Sequence, residues 1–130
     1  MTPKQMLAKW IRLLQLDEWE IELRLEPGKT LPEGTTDVAD AAGQSDASPR
    51  DRFATIRVCK GEPDRIEGII AHELIHVAAS DLMKLALNTA ELLGNETCTV
   101  LRGIMQDTEE KLVVKLETAF VRAGVLPSAR

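Results

Sequence analysis

Hydrophobic residues change their spacing twice along the first sixty positions of the chain. Between residues 3 and 15 they recur with the period of a helix, and Pro3 is suited to the first turn. From Trp19 to Leu25 they alternate with charged residues, which is typical of a half-buried strand, and Pro27 and Gly28 end that strand. The pattern therefore predicts a short amphipathic helix followed by a first strand.

Two further strands are predicted before the chain becomes helical. Small residues from Val38 to Gln44 favour a short strand, and the stretch SDASPRDR that follows is typical of a turn. Ala54, Ile56 and Val58 then alternate with polar residues, as in a half-buried strand. These two strands are predicted to form a hairpin beside the first strand, which gives a small, mostly antiparallel sheet of about three strands.

The second half of the chain has helical spacing throughout. Pro63 is suited to a helix start, and the apolar residues after it predict a largely buried helix to about Ser80. A second helical stretch is predicted over about 82 to 105, with a break near Gly94, and a third over about 107 to 122. The sheet is thus expected to be followed only by helices.

Length and composition agree with a single domain over residues 1–130. The 130 residues, of which 44% are hydrophobic and 28% charged, are enough for one modest core. The predicted fold class is α+β, with the small sheet packed against the N-terminal helix, the helix from residue 63 and the C-terminal helices.

Charge and cysteine content argue against a nucleic-acid-binding, a membrane or a disulfide-rich secreted protein. A net charge of -5 argues against a general affinity for nucleic acid or for an anionic membrane surface. No run approaches the roughly 18 apolar residues of a membrane span, and the N-terminal residues lack the apolar segment of a signal peptide. Cys59 and Cys98 are therefore expected to be reduced thiols of a cytoplasmic protein.

The stretch AHELIHVA, residues 71–78, contains both histidines of the chain. His72 and His76 are four residues apart, so on a helix they lie on one face and can bind one metal ion, most commonly zinc. Glu73 lies about 100° around the helix axis, where it can reach a water molecule on the metal without being a ligand. Chance would produce this spacing in roughly one such chain in a few hundred, which favours a metal site over an ordinary buried helix turn.

The HELIH motif in an apolar helix after a small sheet resembles the zincin metallopeptidases. The order of elements from about 5 to 122 also resembles the small predicted metallopeptidases of phage and bacterial genomes. The resemblance implies that His72 and His76 bind zinc and that Glu73 is the general base in the hydrolysis of a peptide or protein substrate. It implies no particular substrate, and the oligomeric state stays open.

A catalytic zinc usually has a third protein ligand, and the chain has no third histidine. The resemblance then points to the gluzincin branch, in which a glutamate on a later helix is the third ligand. Glu110 is the preferred candidate, because Val113 and Leu116 follow it at the offsets found in several such families. Glu109 is a close alternative on the same helical face. The weaker candidate ligands are Glu91, Glu96, Cys59 and Cys98.

The chain departs from some zincins in having no tyrosine and no spare histidine to stabilise the oxyanion. Zinc, a backbone N–H group or an arginine such as Arg57 or Arg102 would have to supply that stabilisation. Two alternatives to a peptidase therefore remain: a zinc-binding protein without proteolysis, and a helical interaction module without metal. In a zincin an extended peptide adds to the outer strand of the sheet, which here would be residues 53–59 or 38–44.

Overall fold

A computed structural model of the chain describes residues 1–32, 41–92 and 94–127. Within these ranges the chain forms helices and one small sheet, which confirms the α+β class. In chain order the elements are α1 (Pro3–Leu13), β1 (Glu20–Glu26), β2 (Gly43–Ser48), β3 (Phe53–Cys59), a single 3-10 turn (Pro63–Arg65), α2 (Ile66–Glu91) and α3 (Asn95–Arg122).

The sheet is mixed, whereas a mostly antiparallel sheet was predicted. β3 lies in the centre, pairs in parallel with β1 and pairs antiparallel with β2. Pairing of β1 with β3 runs from Glu20 opposite Phe53 to Glu26 opposite Cys59. Since the chain reverses direction before β2 and again after it, the first and third strands run the same way and can pair only in parallel.

β2 begins later than the sequence indicates. The strand was predicted over 38 to 44, of which residues 38–40 lie outside the described residues, and the strand itself is Gly43–Ser48. Residues 45–48 were assigned to a turn because they are small and polar, but they pair with β3 as an edge strand. The turn is confined to the next four residues, where Arg52 has a positive φ of 52°.

Two long helices replace the three helical stretches that were predicted. The predicted break near Gly94 is confirmed, and this residue has a φ of 98°, which favours glycine. No break occurs at 80–82 or 105–107, and Ser80 and Thr108 donate hydrogen bonds to carbonyl groups of their own helices, at 2.6 and 2.8 Å. No helix in the described ranges is both long and apolar enough to cross a membrane.

The core lies between one face of the sheet and helices α1 and α2. β3 contributes the alternating residues that its pattern predicts, and α2 contributes the first half of its length. The largest fully buried side chains are Trp10, Ile56, Ile70, Leu74, Val58, Val77, Val113 and Cys59. The motif HELIH is therefore part of a helix that is held firmly against the sheet.

A buried polar network fixes α1 against α2 and the C-terminal segment. Glu67, 5% exposed, accepts hydrogen bonds from Trp10 Nε1 at 3.0 Å and from Lys9 Nζ at 2.5 Å. Lys9 also donates to the carbonyl oxygen of Val125 at 2.9 Å. Phe120 packs edge-on against Trp10, with ring centroids 5.1 Å apart. The buried carboxylate is thus paired, as a charge in a core requires.

Candidate metal centre

The two histidines of α2 lie one turn apart on the face that α3 covers. The ring centroids of His72 and His76 are 5.0 Å apart and the rings are tilted by 59°. Their side chains are 26% and 17% exposed, so both imidazoles are largely enclosed yet reachable from solvent. This is the geometry that the four-residue spacing predicts.

Glu110 of α3 lies between the two imidazoles. Its Oε1 is 2.9 Å from Nε2 of His72, and its Oε2 is 3.0 Å from Nε2 of His76. One donor atom from each of the three residues lies within 4.8 Å of the others, so the three could hold one metal ion. The side chain of Glu110 is 53% exposed, which leaves the centre open on its solvent side. The structure therefore brings Glu110, the preferred candidate for a third ligand, to the histidine pair.

Two further carboxylates of α3 contact the opposite nitrogens of the imidazoles. Glu117 Oε1 contacts Nδ1 of His72, and Glu109 Oε1 lies 3.3 Å from Nδ1 of His76. Glu109, the alternative ligand from sequence, is thus on the other side of His76 from Glu110. Glu117 was missed, although its position seven residues after Glu110 places it on the same helical face two turns later.

The carboxylates around His72 change its proton affinity. Burial acts to lower the pKa of His72, but the hydrogen bond and charge of Glu117, together with the charges of Glu73 and Glu110, outweigh it and raise the pKa to about 9. Negative charge therefore dominates around the histidine pair. Such a centre attracts cations.

Glu73 is a buried carboxyl group beside the histidines. It is 6% exposed, and burial raises its pKa above the ordinary value. The nearby histidines and a hydrogen bond from the Ser45 side chain act in the opposite direction, while the charge of Glu110 adds to the rise. A carboxyl group with a raised pKa is a stronger base than an ordinary carboxylate and is suited to accept and return a proton.

Gly43, at the start of β2, allows the edge strand to approach Glu73 closely. A Cβ atom at Gly43 would lie 2.5 Å from Cγ2 of Ile69 and 3.1 Å from Oε2 of Glu73. No larger residue fits there without a shift of α2 or β2. Neither Gly43 nor Ser45 carries a signal in the sequence, because their contact with Glu73 exists only after β2 has packed on α2.

The weaker candidate ligands lie away from this group. Glu91 follows His76 by fifteen residues, about 22 Å along the helix, and contacts Arg102 at 3.3 Å. Cys98 is buried near the same arginine, 3.9 Å from its Nη2. Cys59 ends β3 as a buried free thiol. Glu96 is exposed in the first turn of α3. None of the four belongs to the donor group around His72.

The suggested oxyanion groups and sheet edge also need correction. Arg57 alternates with the core residues of β3 and lines a shallow polar depression of the outer sheet face with Arg24 and Thr55. Arg102 contacts Glu91 at the far end of α2. Strand 53–59 is central, so among the described strands the edge next to α2 is β2.

The geometry thus combines three potential metal ligands, an open solvent side and a buried carboxyl group beside an edge strand. Chemically this set can hold a cation, move a proton and receive an extended chain. Comparison of the chain with models of protein families, with curated proteins and with solved structures gave no match.

Proposed function

We propose that the protein is a zinc-dependent metallopeptidase of the zincin type. The observation that supports this function best is the convergence of Nε2 of His72, Nε2 of His76 and the carboxylate of Glu110, with Glu73 buried next to them. Two histidines and one glutamate are the protein ligands of a well-known class of catalytic zinc sites, which keep a fourth position open.

The donor atoms fit a zinc ion. Bonds of about 2.0–2.1 Å in a tetrahedron separate the donor atoms by about 3.3 Å. The Glu110 oxygens lie 2.9 and 3.0 Å from the two histidine nitrogens, so a small outward movement of exposed Glu110 would accommodate the ion. When bound, zinc would supply Lewis acidity that activates water and polarises the peptide carbonyl.

Glu73 has the position and the environment of the general base. It follows a ligand directly in the helix and is rotated away from the donor group, so its carboxylate is available for proton transfer. Burial in the cleft between α2 and β2 raises its pKa, which lets it take a proton from the attacking water and return it to the leaving amine. The side chain of Ser45 holds the carboxylate through a hydrogen bond.

β2 would bind the substrate. Among the described strands it pairs with β3 on one side only, and it lies against α2 next to Glu73. An extended peptide added to this strand would run past the metal centre, with main-chain hydrogen bonds giving the affinity. The small side chains of residues 43–48 leave that edge sterically open.

The experiment is a digest of a peptide library by tag-free protein, read by mass spectrometry, together with zinc content. We expect about one zinc per chain and products that a chelator abolishes. Glu73→Gln should keep the zinc and lose cleavage by about 10²–10⁴-fold. Glu96→Gln, an exposed glutamate of α3, is the matched control and should cleave like the unmodified protein.

A zinc-binding protein without proteolysis is the second candidate. It is favoured by the absence of tyrosine from the chain, by the position of the Arg57 side chain on the outer face of the sheet and by the contact of Arg102 with Glu91 at the far end of α2, which leave no side chain assigned to the oxyanion. One zinc per chain without chelator-sensitive products would select this function. Protein that takes up no zinc would refute both functions.

A further inference from the structure

Each histidine of the centre lies between Glu110 and a carboxylate of its own. Glu110 faces Nε2 of both imidazoles, whereas Glu117 contacts Nδ1 of His72 and Glu109 lies 3.3 Å from Nδ1 of His76. We propose that Glu117 and Glu109 are positioning residues, which accept the Nδ1–H of the two histidines and so direct both Nε2 atoms to the metal. The inference rests on the zinc site of the proposed function.

The role follows from the chemistry of neutral imidazole. Only one of its nitrogens carries a proton, and the other has the lone pair that binds metal. When Glu110 binds the metal instead of the imidazoles, a carboxylate at Nδ1 selects the tautomer with the proton on Nδ1, because an ionised carboxylate can only accept a hydrogen bond. It also fixes the ring orientation and makes the ligand more basic. Glu117 and Glu109 are placed to do this for His72 and His76 respectively.

The antiparallel packing of α2 and α3 explains why these glutamates serve different histidines. Glu109 and Glu110 are neighbours in α3 and lie beside His76, while Glu117 lies about 10 Å further along α3. Since the two helices run in opposite directions, a residue later in α3 lies beside a residue earlier in α2. Glu117 therefore lies beside His72. The order of the glutamates along α3 therefore mirrors the order of the histidines along α2.

Hydrogen-bond geometry supports a stronger role for Glu117 than for Glu109. His72 and Glu117 are each 26% exposed, so their hydrogen bond is shielded from most competing water. The contact of Glu109 with His76 is also enclosed, both side chains being 17% exposed, but its 3.3 Å separation is at the long end for a hydrogen bond. We therefore expect loss of Glu117 to weaken the metal centre more.

The test is nitrogen NMR of zinc-loaded protein labelled in histidine, because the chain has only two histidines and each gives its own signals. We expect a proton on Nδ1 and zinc on Nε2 for both. A competition titration with a chromophoric chelator then gives the zinc Kd. Glu117→Ala should raise the Kd about 10–100-fold and perturb the Nδ1–H signal of His72, with less change at His76.

Two further variants separate positioning from a general structural effect. Glu117→Gln keeps an oxygen acceptor and should fall between the unmodified protein and Glu117→Ala in zinc Kd. Glu96→Ala, which changes an exposed glutamate of the same helix, should leave the Kd and both imidazole signals unchanged. Alanine favours helix, so these variants are expected to fold.

Two outcomes would overturn the inference: a zinc-loaded protein with the His72 proton on Nε2, or an unchanged Kd in Glu117→Ala. The measurement does not depend on hydrolysis. A protein that binds zinc with the expected tautomers and cleaves nothing refutes the peptidase but not the positioning role. An active peptidase whose Glu117→Ala variant binds zinc normally refutes the positioning role but not the peptidase.

Discussion

The two halves of α2 have the same secondary structure and very different surroundings. From Ile66 to Val77, nine of twelve residues are buried, because the sheet lies on one side and α1 and α3 on the others. From 78 to 91 only Ala90 is buried. The candidate metal centre belongs to the first half, which we call the sheet-supported half; residues 78–91 are the outer half.

Exposed leucines mark the outer half. Leu82, Leu85 and Leu92, just beyond the end of the helix, are 70%, 64% and 84% exposed. The outer half stays helical although most of its surface is in solvent. The comparison indicates that the ligand geometry depends on the sheet, since rigid packing fixes side-chain positions better than a two-helix contact does.

The largest effect should come from removing core packing beneath the histidines. Leu74 lies between His72 and His76 in the sequence, and its side chain is fully buried. Leu74→Ala should therefore lower the free energy of unfolding by about 2–5 kcal/mol. Leu85→Ala, the same change in the outer half, should alter it by less than about 0.5 kcal/mol. Urea unfolding measures both. Equal effects would show that the outer half is as tightly packed as the sheet-supported half.

An added methyl group should have opposite effects in two places. Gly43→Ala puts a Cβ atom 2.5 Å from Ile69 and should cost about 1–3 kcal/mol, with altered positioning of Glu73. Gly103→Ala, in α3, meets nothing within 4 Å and should stabilise the protein by about 0.5–1 kcal/mol. Thermal unfolding would show the sign of each. A stabilising Gly43→Ala would contradict the close packing of β2 on α2.

The smallest effect should be found in the outer half. Arg102 and Glu91 form an ion pair at 3.3 Å, with side chains 47% and 58% exposed. Exposed pairs contribute little, so Arg102→Ala should change the free energy of unfolding by about 0.5 kcal/mol or less. Zinc content should not change, because this pair lies far from the histidines. A measurable loss of zinc would connect the outer half to the centre.

The sequence predicts those parts of the centre that depend on spacing within one helix. The pair His72 and His76 follows directly from the helical period. Glu110 could be selected only through the resemblance to gluzincins, because no local pattern shows which acidic residue of α3 will face α2. Glu117 was overlooked since only a third ligand was sought, although its helical phase matches that of Glu110. Contacts with Gly43 could not be predicted, because they require the packing of β2 on α2.

The same distinction holds for the fold. Alternation in β3 and the helical stripes were visible, since they are local patterns. The parallel pairing of β1 was not, because hydrophobic alternation identifies a strand but not its partner. The long helices were divided in the prediction at Ser80 and near Thr108, where polar side chains that favour turns instead bond to their own helix.

The network around Glu67 has a consequence for the order in which the protein can be completed during synthesis. Trp10 and Lys9 leave the ribosome early, but their partners Phe120 and Val125 are among the last described residues to be made. Until then the indole of Trp10 lacks part of its cover, even after α1 and the sheet have formed. Closure of the core thus waits for the synthesis of Phe120 and Val125, and nascent chains that stop before these residues keep an apolar surface exposed to chaperones.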